Sequence, residues 1–417
     1  MQKHPLIGLS EWMCYYTNYH QPCPGAAATD QCVDLHAEAG FDILVWNLGR
    51  SVVDYWSGLS QVTRMCQVSD QVGGHSWAFV GQVMAQVCPL RRALKRAAQD
   101  GLSLWGRLGM NRHYGSAAYA GVTSRFALDN PQFHERGKNG GQDASRLCYA
   151  LEEVRRERID ILLECHRLGV AGLVLDFCRQ MPMLKYHPAL VDPFRQQTGI
   201  DPLGIDSDEP ADYAAWFQYR ADILTQFMDE LRQGLKQQEA QYGPCPLIAR
   251  IPDSAPWLLM AYGLDTGTWC ARDLIDGLML SPFPITREDL QLHTADHVQT
   301  AHKHGKICWG GLGSKQLLVN GSLENTGSFH LQPALSLAAA QYAAGVDGLS
   351  LYQSESMVRM RYLDDLLATL PYPEPVAERA ASLAVPDLPA DHGLGMDWHA
   401  HMRGRHSLRS AAGDNAL

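Results

Sequence analysis

GVAGLVLDFCRQMP, residues 169–182, decides how the rest of the chain is read. Gly172 to Phe177 is an apolar run of strand length that carries a carboxylate, Asp176, near its end, with Arg179 three residues on. Upstream, ASRLCYALEEVRRERIDILLECHRLG (144–169) sets Val154, Ile161, Leu162, Cys165 and Leu168 on one face at helical spacing. A near-continuous apolar strand fed by a helix reads as a parallel strand covered on both faces. A charge ending such a strand is costly unless it is paired or put to use.

Seven more runs of the same kind follow this pattern: PLIGLS (5–10), FDILVWNL (41–48), GLSLWGRLG (101–109), PLIARI (246–251), IDGLMLS (275–281), KICWGGLG (306–313) and VDGLSLY (346–352). Helical segments separate them, among them QCVDLHAEAG (31–40), PLRRALKRAAQD (89–100), WFQYRADILTQFMDELRQGLKQQEA (216–240) and LQPALSLAAAQYAAG (331–345), the last ended by Gly345. Eight β/α units predict an α/β fold of the TIM (β/α)8 type with long βα loops, spanning residues 1–370. Residues 371–417, rich in Pro, Ala and polar side chains, read as an irregular C-terminal extension, and His399, His401 and His406 as solvated tail histidines. A doubly wound sheet calls for G-x-G-x-x-G after an early strand, which is absent; GGLGS (310–314) follows the seventh run and lacks the Walker lysine spacing.

The chain has 417 residues, 46% hydrophobic and 19% charged, with a formal charge of −10. That acidity argues against nucleic acid or an anionic membrane as partner. No apolar run reaches the roughly 18 residues of a membrane helix. MQKHPLIGLSEW has no charged-then-apolar leader, so the chain reads as cytoplasmic as written, or secreted or periplasmic if a leader has been removed. The 11 cysteines are scattered with no C-x-x-C pair, which favours small buried thiols over a zinc site. A homo-oligomer is compatible with all of this.

Barrel chemistry sits at the C-terminal ends of the strands. In strand order those ends offer Glu11 and Trp12; Asn47, Arg50 and Asp54; Arg107, Asn111, Arg112 and His113; Asp176 and Arg179; Arg250 and Asp253; Ser281 and Phe283; Trp309 and Lys315; and Tyr352, Gln353 and Glu355. Carboxylates for acid, base or nucleophile work, aromatic faces for sugar rings, and Arg, Asn and Gln for hydroxyls together suit a carbohydrate. The expected pair is Asp176 as nucleophile or oxocarbenium stabiliser, kept ionised by Arg179 or Arg250, with Asp253 as general acid/base and Glu355 and Glu11 as the alternatives. Arg107, Arg112, His113 and Lys315 would bind hydroxyls, a uronate or a sulfate, with Trp309, Tyr352 and Asn47 completing the binding set. No metal and no cofactor is expected. The tryptophans have a second reading, as barrel core.

Several motifs carry a resemblance: Tyr149-Ala150-Leu151-Glu152-Glu153-Val154-Arg155, Ala171-Gly172-Leu173-Val174-Leu175-Asp176-Phe177-Cys178-Arg179, AGFDILVWNLGRSVVDY (39–55), TGIDPLG (198–204) and GLDTGTWCARDLIDGLMLS (263–281). In this order, over roughly residues 30 to 355, the chain resembles the glycosyl-hydrolase-like barrel proteins of the "family ten glycosylhydrolase-like" group, with Ala171 where that group usually has Asp. It differs from the true xylanases, which pair glutamates after strands four and seven; strand seven here ends in CWGGLGSK. The resemblance implies a TIM barrel and a glycoside hydrolase. The rival readings are a non-catalytic carbohydrate-binding barrel and a metal-dependent barrel enzyme of another class.

Overall fold

Each of the eight apolar runs becomes a strand of one closed parallel barrel: β1 (Leu6–Ser10), β2 (Ile43–Gly49), β3 (Ser103–Gly109), β4 (Leu173–Asp176), β5 (Leu247–Pro252), β6 (Gly277–Ser281), β7 (Ile307–Gly313) and β8 (Gly348–Tyr352). The structure is a computed structural model, and it describes residues 2–12, 26–68, 75–111, 121–178, 182–205, 210–281, 291–313, 316–319, 322–325, 331–358 and 363–383. Neighbouring strands follow one another in sequence around the barrel, and β8 closes on β1 with Gly8 opposite Leu351. Helices α1 (Ala26–Glu38), α2 (Pro89–Asp100), α3 (Glu152–Leu168), α4 (Pro210–Tyr242), α5 (Thr294–Lys303) and α6 (Leu331–Ala343) belong to the surrounding layer.

Strand side chains alternate between two cores. Leu6, Leu44, Leu104, Leu175 and Leu278 face the helices. Ile7, Leu9, Val45, Trp105, Val174, Ile248, Met279, Trp309 and Tyr352 fill the barrel interior. Trp105 and Trp309 meet there at 5.6 Å between ring centroids. Trp309 was expected on the sugar-binding rim; it is a core residue instead, 4% exposed and early in its strand, away from the C-terminal mouth. Gly172 leaves the room Trp105 needs, since a Cβ there would stand 2.5 Å from the indole. Gly172→Ala should therefore destabilise the barrel by about 1–3 kcal/mol through overpacking. Denaturant titration checks this, and an unchanged midpoint would mean that Trp105 can move aside.

Three features depart from the expected organisation. Residues 142–147 are not the start of a helix. They form a hairpin strand (Gln142–Leu147) against His134–Arg136, and α3 begins only at Glu152. A second hairpin pairs Gln316–Val319 with Ser322–Asn325. Residues after 370 are not all irregular: Pro373–Ser382 is a helix, α7, that packs on α6 and buries Val376 completely. The Tyr342 hydroxyl donates to the Leu370 carbonyl at 2.8 Å beside it. His399, His401 and His406 lie outside the described residues. The nine cysteines among the described residues are free, and no helix there is long and apolar enough to cross a membrane.

Candidate active site

The inward register that places Val45, Trp105, Val174, Ile248 and Met279 in the interior brings up, two residues later, Asn47, Arg107, Asp176, Arg250 and Ser281. The interior thus changes from apolar to polar at the C-terminal end, within one side-chain layer. Asp176 is its centre. Its Oδ2 accepts from Arg107 Nε at 2.6 Å, and its Oδ1 accepts from Arg250 Nη1 at 2.9 Å and from the Cys178 amide at 3.0 Å. Arg250 also donates to Ser281 Oγ at 2.8 Å. Arg107 Nη1 reaches Glu11 Oε1 at 3.3 Å and Asn47 Oδ1 at 3.4 Å, and Asn47 Nδ2 donates to Asp54 Oδ2 at 2.6 Å. Both guanidiniums lie over the Tyr352 ring, Arg250 at 4.9 Å and Arg107 at 5.9 Å from its centroid. A single polar chain therefore runs from Ser281 on β6 to Asp54 beyond β2.

Its carboxyls divide into two electrostatic kinds. Burial alone would raise Asp176, but Arg107, Arg250 and Arg50 outweigh it and hold the carboxyl well below the usual carboxylate range. Arg107 is lifted in return: burial works against its charge, and Asp176 and Glu11 prevail. Asp54 goes the other way. Burial pushes it up to about 7 despite the Asn47 amide and the nearby Arg50, and its Oδ1 has no hydrogen-bond partner. Burial, and then Glu11 alongside, push Glu355 up to about 8. Glu11 and Arg50, 3.6 Å apart, have side chains 13% and 19% exposed, against 2–3% for Arg107, Asp176 and Arg250. Glu11 is therefore the most open carboxyl of the cluster.

The loop after β2 that carries Arg50 and Asp54 is held in place from α3. The chain turns at Gly49 with φ +113°, where a Cβ would lie 2.2 Å from the Val52 carbonyl. Arg158, paired with Glu157, donates to the Arg50 carbonyl. Glu164 accepts from the Tyr55 hydroxyl at 2.8 Å, the Ser57 hydroxyl at 2.6 Å and the Gly58 amide at 2.7 Å. One helix thus clamps both ends of the loop.

Of the expected site residues, Asp176, Arg107, Arg250, Asn47, Tyr352 and Glu11 come together in this cluster. Glu355 joins it only from behind β1, fully buried, its Oε2 accepting the Glu11 amide at 3.1 Å. Asp253 does not join it. Its side chain leaves the inward register and accepts from the His293 amide at 3.0 Å and from Thr294 Oγ1 at 2.5 Å, at the start of α5. Arg112, His113, Arg179 and Lys315 lie outside the described residues. The cluster also recruits Arg50, Asp54 and Ser281, which stood among the strand-end polar residues but not among the chosen candidates. For Ser281 the signal was there, two residues beyond the inward-facing Met279. Among the described residues no three His, Cys, Asp or Glu side chains group as metal ligands.

No family model matches the chain, and no curated protein matches it. Among solved structures it is similar to the catalytic domain of a beta-amylase from Paenibacillus polymyxa, with 9% identity and a TM-score of 0.52 over 85% of this chain and 93% of that one. It is also similar to GH20 catalytic modules of the pneumococcal exo-beta-D-N-acetylglucosaminidase (12% identity, TM-score 0.48, 89% of this chain and 83% of that one). A beta-galactosidase from Rahnella sp. R3 gives 13% identity and a TM-score of 0.48 over 90% of this chain and 57% of that one. At 9% identity what is shared with the beta-amylase domain is the fold, and the chain is a (β/α)8 barrel.

Proposed function

We propose that the protein is a glycoside hydrolase whose working carboxyls are Glu11 and Asp54. One observation carries the reading: at a single barrel mouth, a carboxylate ion-paired with two arginines shares a hydrogen-bonded chain with a carboxyl that burial holds near neutrality. Glycosidic cleavage needs that division, one group to give a proton and one to attack the sugar or activate water. Asp54, whose buried Oδ1 has no hydrogen-bond partner and whose carboxyl burial pushes up to about 7, supplies the proton. Glu11 acts as base or nucleophile. Asp176, whose oxygens are taken by two guanidiniums and an amide, is the electrostatic floor that fixes Arg107, and through it Glu11 and Asn47. The resemblance of its motifs to those of glycosyl-hydrolase-like barrel proteins supports this reading, as does the use of the same fold by a beta-amylase catalytic domain.

The test is a panel of aryl glycosides and of neutral and acidic polysaccharides, with the wild-type protein beside Glu11→Gln and Asp54→Asn. The wild type should cleave at least one member. Each variant should lose about a hundredfold or more in rate, and Asp54→Asn should also lose the alkaline limb of the pH–rate profile near 7. Binding without turnover would favour the carbohydrate-binding barrel. Full activity in both variants would overturn the assignment.

A further inference from the structure

Beside the mouth runs a trough that the chemistry above does not use. Two hollows of about 700 and 310 Å³ share Gln61 and Phe126 as lining residues and so lie side by side. Each lies within the range of ~300–1,000 Å³ typical of small-ligand sites. The larger is built from the loop after β2 and the segment 121–130 beyond β3, the smaller from the start of α3. Its floor is tied to the catalytic loop. The Val53 amide, next to Asp54, donates to the Thr63 carbonyl at 2.9 Å, and the Met65 amide donates to the Val53 carbonyl at 2.9 Å. The Arg125 amide donates to Thr63 Oγ1 at 2.7 Å and the Ser124 amide to Ser51 Oγ at 2.8 Å. The trough is thus one backbone pairing, roughly 5 Å, from the residue beside Asp54.

We infer that this trough is a distal subsite for the chain of an uncharged oligosaccharide, an inference that rests on the glycoside-hydrolase reading. The lining fits that ligand class. Gln61, Thr63 and Asn130 bring amide and hydroxyl groups, while Arg125 and Asp129 contribute one charge of each sign. At the junction of the hollows stands the half-buried Phe126, its ring steadied by Phe133 at 5.8 Å. Hydroxyls pair with such amides, and the apolar face of a pyranose stacks on such a ring. The far hollow sets Glu152, Glu153 and Asp160 against Arg156, beside Glu157, which Arg158 pairs. That acidic end repels uronates, sulfated glycans and nucleic acids. The polar lining fits an acyl chain poorly.

The experiment is affinity electrophoresis of the full chain through gels containing galactomannan, xyloglucan, mixed-linkage glucan or amylopectin, with polygalacturonate and heparin as anionic controls. Phe126→Ala and Gln61→Ala are run alongside, each checked by its melting curve. At least one neutral polysaccharide should retard the wild type, and each variant should bind it at least tenfold more weakly. Where that polymer is also hydrolysed, the ratio of polymer rate to aryl-glycoside rate should fall at least tenfold in both variants. Equal retardation of wild type and both variants overturns the subsite, as does retardation by the anionic polymers alone or by none. Retardation is read without turnover, so a protein that binds neutral glycans through Phe126 but cleaves nothing keeps the trough and loses only the hydrolase reading.

Discussion

Asp176→Asn is expected to lower the unfolding free energy by about 3–5 kcal/mol, because it strands two buried guanidiniums. Arg107 and Arg250, each 2% exposed, meet Asp176 at 2.6 and 2.9 Å. An asparagine offers one carbonyl oxygen where the carboxylate served three donors, and its amide hydrogens would face donors. Arg107 keeps Glu11 at 3.3 Å, but the remaining side-chain partner the structure gives Arg250 is the Ser281 hydroxyl at 2.8 Å. Chemical denaturation of wild type and variant measures the loss. Turnover should fall with it, since Asp176 fixes Arg107 and through it Glu11, so the stability loss and not the rate is the readout of the anchoring role. The double variant Asp176→Leu, Arg250→Met should recover part of the loss, since it removes one stranded charge together with the carboxylate it faced. If Asp176→Asn unfolds at the wild-type midpoint, Asp176 is not the anchor of the mouth.

The strands were readable in the sequence because a parallel strand covered on both faces has almost no polar positions. Leu173–Asp176 and Gly348–Tyr352 announce themselves by composition alone. The hairpin at 134–147 did not. His134–Arg136 is too short and polar to register, and the helical spacing of α3 reads smoothly back through Ala144–Leu147, whose conformation is decided by a partner strand. The same limit governs the site. Strand ends tell which residues reach the mouth, but a two-residue register decides which way each one points. Ile248 and Arg250 face inward and Asp253 does not; Trp309 faces inward, but away from the mouth. Nor could the sequence show that Asp54 and Glu355 are pushed up to about 7 and about 8. Both sit beside arginine or glutamate, and what raises them is burial by segments far away in the chain.

That burial has a consequence for stability that does not depend on any substrate. Asp54 and Glu135 titrate near 7 in the folded protein and Glu355 near 8, each pushed up first of all by burial. Unfolded, they titrate in the ordinary carboxylate range near 4. Between those limits the native state holds protons that the unfolded state has released, so stability falls as pH rises, by about 1.4 kcal/mol per pH unit for each proton. Their contribution is complete below about pH 4 and is lost through pH 7–8. His36 works in the opposite sense: burial lowers it to about 4, so it favours the folded state as pH rises toward 6.5, and above that it no longer offsets the carboxyls. Asp176 and Asp143, held low by their arginines and, for Asp143, by Lys185, lose their contribution only as the solution turns strongly acidic. The protein should therefore lose several kcal/mol of stability between pH 6 and pH 8.5. Glu135→Gln, in the hairpin and outside the cluster at the barrel mouth, should flatten the slope by about one proton up to about pH 7; Glu355→Gln should flatten it by about one proton up to about pH 8. Denaturant titrations at half-unit pH steps read both effects. A midpoint that stays level from pH 6 to 8.5 would mean that these carboxyls ionise at no cost inside the barrel, and with it would go the neutral acid on which the proposed chemistry depends.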